Sequence, residues 1–180
     1  MKIIAEIGWN HIGDMNLAKK MIDSAVKNGA DICKFQTWSE KKLGKGSWDN
    51  DERREIYKKA ELSKAQHVEL NNHCKTKKVK FLSSVFDNDG INIMSSTNSE
   101  MVKIASQELY NLNLISACLE KFDKVIISTG ASKWEEILKL TKIKNKEKII
   151  VMHCVSSYPC KPENVNMPKM KKLQEFFPVV

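Results

Sequence analysis

Six short apolar segments, each ending in polar residues and each separated from the next by a helical pattern, constrain this chain more than any other feature. They are Lys2–Ile7, Asp31–Thr37, Val79–Ser84, Met101–Ser106, Lys124–Thr129 and Ile149–Val155. Apolar runs joined by helical crossovers predict parallel strands covered by helices. The helical pattern at Met15–Asn28 carries Leu17, Met21, Ile22, Ala25 and Val26 on one face and stops at Gly29. Ser63-Lys-Ala-Gln66 reads as a capping box opening the next helix, and Ser132-Lys-Trp-Glu135 as a second, with Ser132 as its cap. Asp87–Ser96, Leu112–Phe122 and Pro168–Phe177 complete the helical set. Ser39–Glu61 breaks the rhythm and predicts a surface loop running into a short helix. An open doubly wound sheet and a (β/α) barrel both satisfy this order. No G-x-G-x-x-G or G-x-x-x-x-G-K-[ST] follows a strand, so the phosphate-loop forms of the open sheet lose support.

Composition narrows the class. The longest apolar runs, such as Ile149–Met152, are far too short to span a bilayer, so no membrane partner is expected. The opening Met1–Glu6 has no long apolar stretch of the kind a secretory leader needs. Five cysteines form no C-x-x-C pair, which fits thiols in a reducing cytoplasm better than a disulfide framework. The net charge of +8 raises nucleic-acid binding as a possibility. Only Arg53 and Arg54 are arginines, however, and the lysines are scattered without interleaved aromatics. Nucleic acid is therefore not expected, whereas a basic bias suits small anionic substrates.

The polar residues collect where the strands end. The first segment carries Glu6 and runs into Asn10-His11; the second ends Lys34-Phe-Gln36-Thr37; the third ends Ser83-Ser84. The fourth carries Lys103 and ends Ser106-Gln-Glu108; the fifth ends Ser128-Thr-Gly130; the sixth runs His153-Cys-Val-Ser156-Ser-Tyr158. In a barrel such ends meet on the active face. Alternation places Lys34 and Gln36 on one side of their strand, with Cys33 and Phe35 on the other. A strand lysine needs an anionic partner, because desolvating an ammonium is costly. Lysines with Ser/Thr hydroxyls are the components of a phosphate or carboxylate site. A lone Ser at a strand end serves as a turn or cap residue, so the weight rests on the collected set. His67, His73 and Cys74 share one predicted helix and point different ways, which favours packing or surface roles over a metal. His153 fits a satisfied core histidine as well as a catalytic one, and Trp38, Trp48 and Trp134 read as packing or loop anchors.

Ile3-Ile-Ala-Glu6-Ile-Gly-Trp-Asn10-His-Ile-Gly-Asp14 resembles the opening motif of the sialic acid synthase family, which includes N-acetylneuraminate, legionaminate and pseudaminate synthases. Five further stretches follow in family order: Gly29–Thr37, Phe81–Phe86, Val102–Glu108, Ile127–Gly130 and His153–Pro159. The resemblance implies a TIM (β/α)8-type barrel, here truncated to about six β/α units, that condenses phosphoenolpyruvate with an N-acyl amino sugar resembling N-acetylmannosamine. The implied product is a nonulosonic 2-keto acid plus phosphate, and the implied enzyme is a carbon–carbon bond-forming transferase of carbohydrate biosynthesis. By motif position, Lys34, Ser84, Lys103, Ser106, Ser128 and Ser156 would hold phosphoenolpyruvate. Gln36, Glu108 and Tyr158 would face the sugar, and Glu6, Asn10 and Glu108 would lie at the catalytic centre. Glu6 is the candidate for orienting water or exchanging a proton.

Three positions depart from the family pattern. Ser84-Val85 stands where Thr-Pro is common, Ile12 where Asn is frequent, and Ser156 where some members have Asn. The family also implies a divalent metal (Mn or Mg), held by two histidines after the next two strands, so its ligands are expected beyond residue 180. An antifreeze-like (SAF) domain lending an Arg across a homodimer is implied as well. A complete eight-unit barrel takes about 250 residues, so 180 residues are expected to hold six units, with a seventh strand beginning near Phe177-Pro-Val-Val180. Residues 1–180 are thus expected to be the N-terminal part of a barrel, without strands seven and eight or the SAF domain. Alone they are expected to be inactive. The competing expectation is a truncated chain that binds anionic metabolites or serves as an interaction partner.

Overall fold

The computed structural model describes residues 2–180. The chain divides into two compact units, one ending at Ser99 and the other running Glu100–Val180.

In the first unit, strands β1 (Ile4–Gly8), β2 (Ile32–Thr37) and β3 (Lys80–Val85) are parallel neighbours. Glu6 stands opposite Lys34, and Gln36 opposite Ser84. Helix α1 (Met15–Lys27) follows β1. Its start is set by Asp14, whose carboxylate accepts the Asn16 and Leu17 N–H groups at 2.8 and 3.0 Å. Its end is set by Gly29, whose φ of +87° suits a residue without a side chain. Ala18 and Ile22 are fully buried on its inner face. Helix α3 (Lys64–Thr76) opens with the expected reciprocal cap: Gln66 N–H donates to Ser63 Oγ, and Ser63 N–H to Gln66 Oε1. Helix α4 (Asn88–Ser95) is capped by Asp87, which accepts the Gly90 N–H at 2.8 Å. Phe35 and Phe81 stack at 5.4 Å between ring centres, at the heart of this core.

The excursion between β2 and α3 contains two 3-10 turns, Glu40–Lys42 and Ser47–Asp49, and the short helix α2 (Arg53–Ala60). Arg54 gathers it by donating to Glu40 at 2.7 Å, to Gly44 O at 2.9 Å and to Asp49. Trp48 donates to Gly44 O, and Tyr57 meets Trp9 and Trp38 edge-on, so the tryptophans here are anchors as expected.

In the second unit, β4 (Met101–Ile104), β5 (Lys124–Ser128) and β6 (Ile149–Met152) are again parallel neighbours, with α5 (Leu112–Lys121), α6 (Trp134–Lys139) and α7 (Met167–Gln174) between or after them. Ile104, Leu109, Ile115, Leu119, Ile127 and Ile137 are among the largest fully buried side chains of this unit. Val179 pairs in parallel with Val151, and Val180 N–H donates to Val151 O at 2.9 Å, where a further strand was expected to begin.

Several local expectations are corrected. β4 ends at Ile104 rather than Ser106, because Glu108 N–H turns back to Ala105 O and makes Ser106–Glu108 a 3-10 turn. β6 ends at Met152 rather than Val155. Thr129 takes the Met152 carbonyl through both its N–H and its hydroxyl, which closes the ladder with β5. The cap of α6 is Lys133 rather than Ser132: Lys133 N–H donates to Glu136 Oε2 at 2.7 Å, while Ser132 Oγ lies 3.5 Å from Ser106 O. Among the described residues no helix is long and apolar enough to cross a membrane.

Candidate functional site

Each unit carries part of the predicted site. In the first, the strand pleat turns Lys34 toward β1 and β3 together. Its Nζ lies 2.6 Å from Glu6 Oε2 and donates to Ser84 Oγ at 3.2 Å. The Lys34 side chain is only 7% exposed, whereas that of Glu6 is 49% exposed. Burial strips the ammonium of water and holds its pKa below the ordinary lysine range; the Glu6 carboxylate opposes that shift without cancelling it. The anionic partner that a strand lysine requires is thus the residue opposite it in the sheet. Gln36 is half-buried and reaches toward the other Glu6 oxygen at 3.5 Å. Glu6, Lys34, Gln36 and Ser84 therefore form one cluster. Asn10 sits in the turn after β1 and donates to Ile7 O at 2.9 Å, which shapes that turn.

In the second unit, Lys103 on β4 reaches the end of β5, where its Nζ donates to Ser128 Oγ at 2.6 Å. Ser128 is buried. Ser106 and Glu108 occupy the turn after β4, both half-buried, with Asn111 Nδ2 near Glu108 Oε2 at 3.5 Å. Gly130, just beyond β5, lies against the loop after β6. A side chain there would meet Ser156 Oγ at 2.6 Å and Cys154 Cβ at 3.2 Å, so glycine is what lets that loop approach. Ser156 is exposed on this loop, and Tyr158 is 97% exposed beyond it.

The other histidines find structural partners. His73 pairs with Asp23 at 2.8 Å, and Cys74 is a buried free thiol, as is Cys33. His153 Nε2 donates to Val165 O at 2.6 Å. His67 was expected to pack, but it also forms hydrogen bonds to Thr37 and Ser63 that spacing alone does not signal. Among the described residues no three His, Cys, Asp or Glu side chains come together as a metal site.

A cation set against a hydroxyl at a strand's C-terminal end can grip a phosphate or carboxylate. A half-exposed carboxylate on such a lysine can orient water or carry a proton.

Comparison with known proteins finds clear relatives of this chain. Residues 21–180 match the NeuB family. The chain is 35% identical over 191 residues to N,N'-diacetyllegionaminic acid synthase of Campylobacter jejuni, covering 97% of this chain and 57% of that protein. It is 32% identical to pseudaminic acid synthase of Helicobacter pylori, covering 99% of this chain and 56% of that protein. The crystal structure of N-acetylneuraminic acid synthetase from Leptospira borgpetersenii, in complex with citrate, superimposes with a TM-score of 0.89 at 34% identity, over 98% of this chain and 62% of that one. The chain thus spans little more than half the length of the curated relatives it matches. The expected fold class, a parallel α/β fold of the (β/α)-barrel type represented by six units, agrees with these likenesses.

Proposed function

The chain belongs to the NeuB family, and on that premise we propose that the protein carrying it condenses phosphoenolpyruvate with an N-acyl amino sugar to a nonulosonic 2-keto acid. The observation that carries this reading is the buried Lys34 ammonium, held between Glu6 at 2.6 Å and Ser84 at 3.2 Å at the ends of parallel strands. Burial of a strand lysine has no structural benefit of its own, because an apolar residue of similar size would fill the space without the desolvation cost. Its use is as a preorganised cation for an anionic ligand. Lys103 with Ser128 is the corresponding pair in the second unit.

In the proposed reaction, carbon 3 of phosphoenolpyruvate forms a bond to the sugar's aldehyde carbon, and the carbonyl electrons leave as an alkoxide that takes a proton. Water adds to the resulting cation at carbon 2 and loses a proton. The carbon–oxygen bond to phosphate then breaks as the new hydroxyl gives up its proton to the departing phosphate, which leaves the ketone. Lys34 and Lys103, with Ser84, Ser106, Ser128 and Ser156, hold the carboxylate and phosphate and stabilise the charge that leaves. Glu6 positions the water or takes its proton. Gln36, Glu108 and Tyr158 face the sugar, and Asn10 fixes the turn beside Glu6. A divalent ion would polarise the aldehyde in this scheme. The described residues bring together no group of three such ligands, and by the family resemblance two histidines outside these residues would hold it. A homodimer in the cytoplasm is part of the same proposal.

The test is phosphate release by the whole protein from phosphoenolpyruvate, in the presence of N-acetylmannosamine or a related N-acyl amino sugar and manganese, with the keto acid identified by mass. Lys103→Ala should lower kcat/KM for phosphoenolpyruvate by about 10²–10³. Sugar-independent phosphate release, or unchanged kinetics in Lys103→Ala, would contradict the assignment.

A further inference from the structure

A second buried polar chain lies on the opposite face of β2 from Lys34. Thr37, Ser83 and His67 are 1%, 0% and 0% exposed. Thr37 Oγ1 lies 2.8 Å from His67 Nε2 and 2.7 Å from Ser83 Oγ. His67 Nδ1 lies 2.9 Å from the backbone oxygen of Ser63, the residue that caps α3.

These partners admit one arrangement of protons for a neutral ring. A carbonyl oxygen only accepts, so Nδ1 carries the ring hydrogen and donates to Ser63. Nε2 is then a bare acceptor, and the Thr37 hydroxyl must donate to it. That uses the only hydrogen Thr37 has, so Ser83 donates to Thr37. The run is Ser83 O–H to Thr37, Thr37 O–H to His67 Nε2, and His67 Nδ1–H to Ser63 O. It ties the ends of β2 and β3 to the first turn of α3. Burial favours the neutral ring that this direction requires.

The strand neighbours of this chain are Gln36 and Ser84, which stand opposite one another across β2 and β3. Successive side chains alternate faces, so Gln36 and Ser84 project where Thr37 and Ser83 do not. We infer that His67 is a positioning residue, which through Thr37 and Ser83 fixes where Gln36 and Ser84 stand on the ligand-facing side. The identity of the ligand rests on the proposed function; the hydrogen-bonded chain and its hold on the strand ends do not.

The test uses Thr37→Val, His67→Phe and His67→Gln in the whole protein. Thr37→Val keeps the side chain's shape and removes its hydroxyl. His67→Gln offers an oxygen near the position of Nε2, whereas His67→Phe offers none. Imidazole nitrogen NMR should find the His67 hydrogen on Nδ1; a hydrogen on Nε2 would overturn the arrangement. Thr37→Val and His67→Phe should raise KM for phosphoenolpyruvate about tenfold with kcat within about twofold, and His67→Gln should recover most of the loss. Unchanged KM in folded Thr37→Val would reduce the chain to a stabilising contact and overturn the inference. Should the parent protein release no phosphate, the proposed function fails, and amide hydrogen exchange at Gln36 and Ser84 decides the positioning claim. Exchange about tenfold faster in Thr37→Val supports it, and parental rates overturn it. If His67→Phe does not fold, Thr37→Val carries the same readouts.

Discussion

The two faces of β2 differ in kind. Phe35 and Thr37 turn toward a packed, uncharged layer: Phe35 stacks on Phe81, and Thr37 closes the chain between Ser83 and His67. Lys34 and Gln36 turn toward a charged one. There a desolvated ammonium leans on Glu6, whose own side chain is half in water, on the Ser84 hydroxyl and, at 3.5 Å, on the Phe35 carbonyl. Stability is concentrated on one face and a stored electrostatic cost on the other. Substitutions on the two faces should therefore separate into those that melt the protein and those that leave it folded without its ligand.

The largest effect that could break this comparison is on the core face. Phe35 is fully buried, and Phe35→Ala should cost about 3–5 kcal/mol. The melting temperature should fall by roughly 10 °C. A variant that melts like the parent would show that the ring packing does not hold this unit.

A smaller, pH-dependent effect sharpens the comparison. Burial lowers the His67 pKa, and burial followed by the nearby His67 lowers that of His11. The unfolded chain titrates its histidines near pH ~6.5. Above that pH both states are neutral and the stability is fully present. As pH falls below it, the unfolded chain binds protons first, so stability declines until the lowered folded pKa values are passed. Thermal melts between about pH 7 and 5 should show this decline, and His67→Phe should make it shallower. An identical slope in the variant would remove His67 from the account.

Much of this arrangement was legible in the sequence, for reasons that differ by residue. Period-two alternation separated Lys34 and Gln36 from Cys33 and Phe35, because the pleat allows no other assignment. The cost of a desolvated ammonium called for an anion beside Lys34, but only the parallel register of β1 and β2 identifies it as Glu6. Gln66 lies within reach of Ser63 along one turn, so that cap could be read locally. The α6 cap was displaced by one residue because Glu135 and Glu136 both offer a carboxylate, and Glu136 makes the bond. Strand ends were overextended at β4 and β6, because the apolar pattern does not record where a neighbouring carbonyl or a tight turn ends the ladder. The link from Thr37 to His67 and Ser83 joins residues 30 and 46 positions apart, where no spacing rule operates.

The central claim is that Lys34 is held buried for an anion rather than for stability, and calorimetric titration of phosphoenolpyruvate into the whole protein and its Lys34→Met variant tests it most directly. Methionine fills the lysine's space without its charge, and Glu6 is exposed enough to remain solvated alone. The account predicts a variant that melts within about 4 °C of the parent and binds phosphoenolpyruvate at least about a hundredfold more weakly. Unchanged affinity, or a variant that cannot fold while Phe35→Ala can, would contradict it.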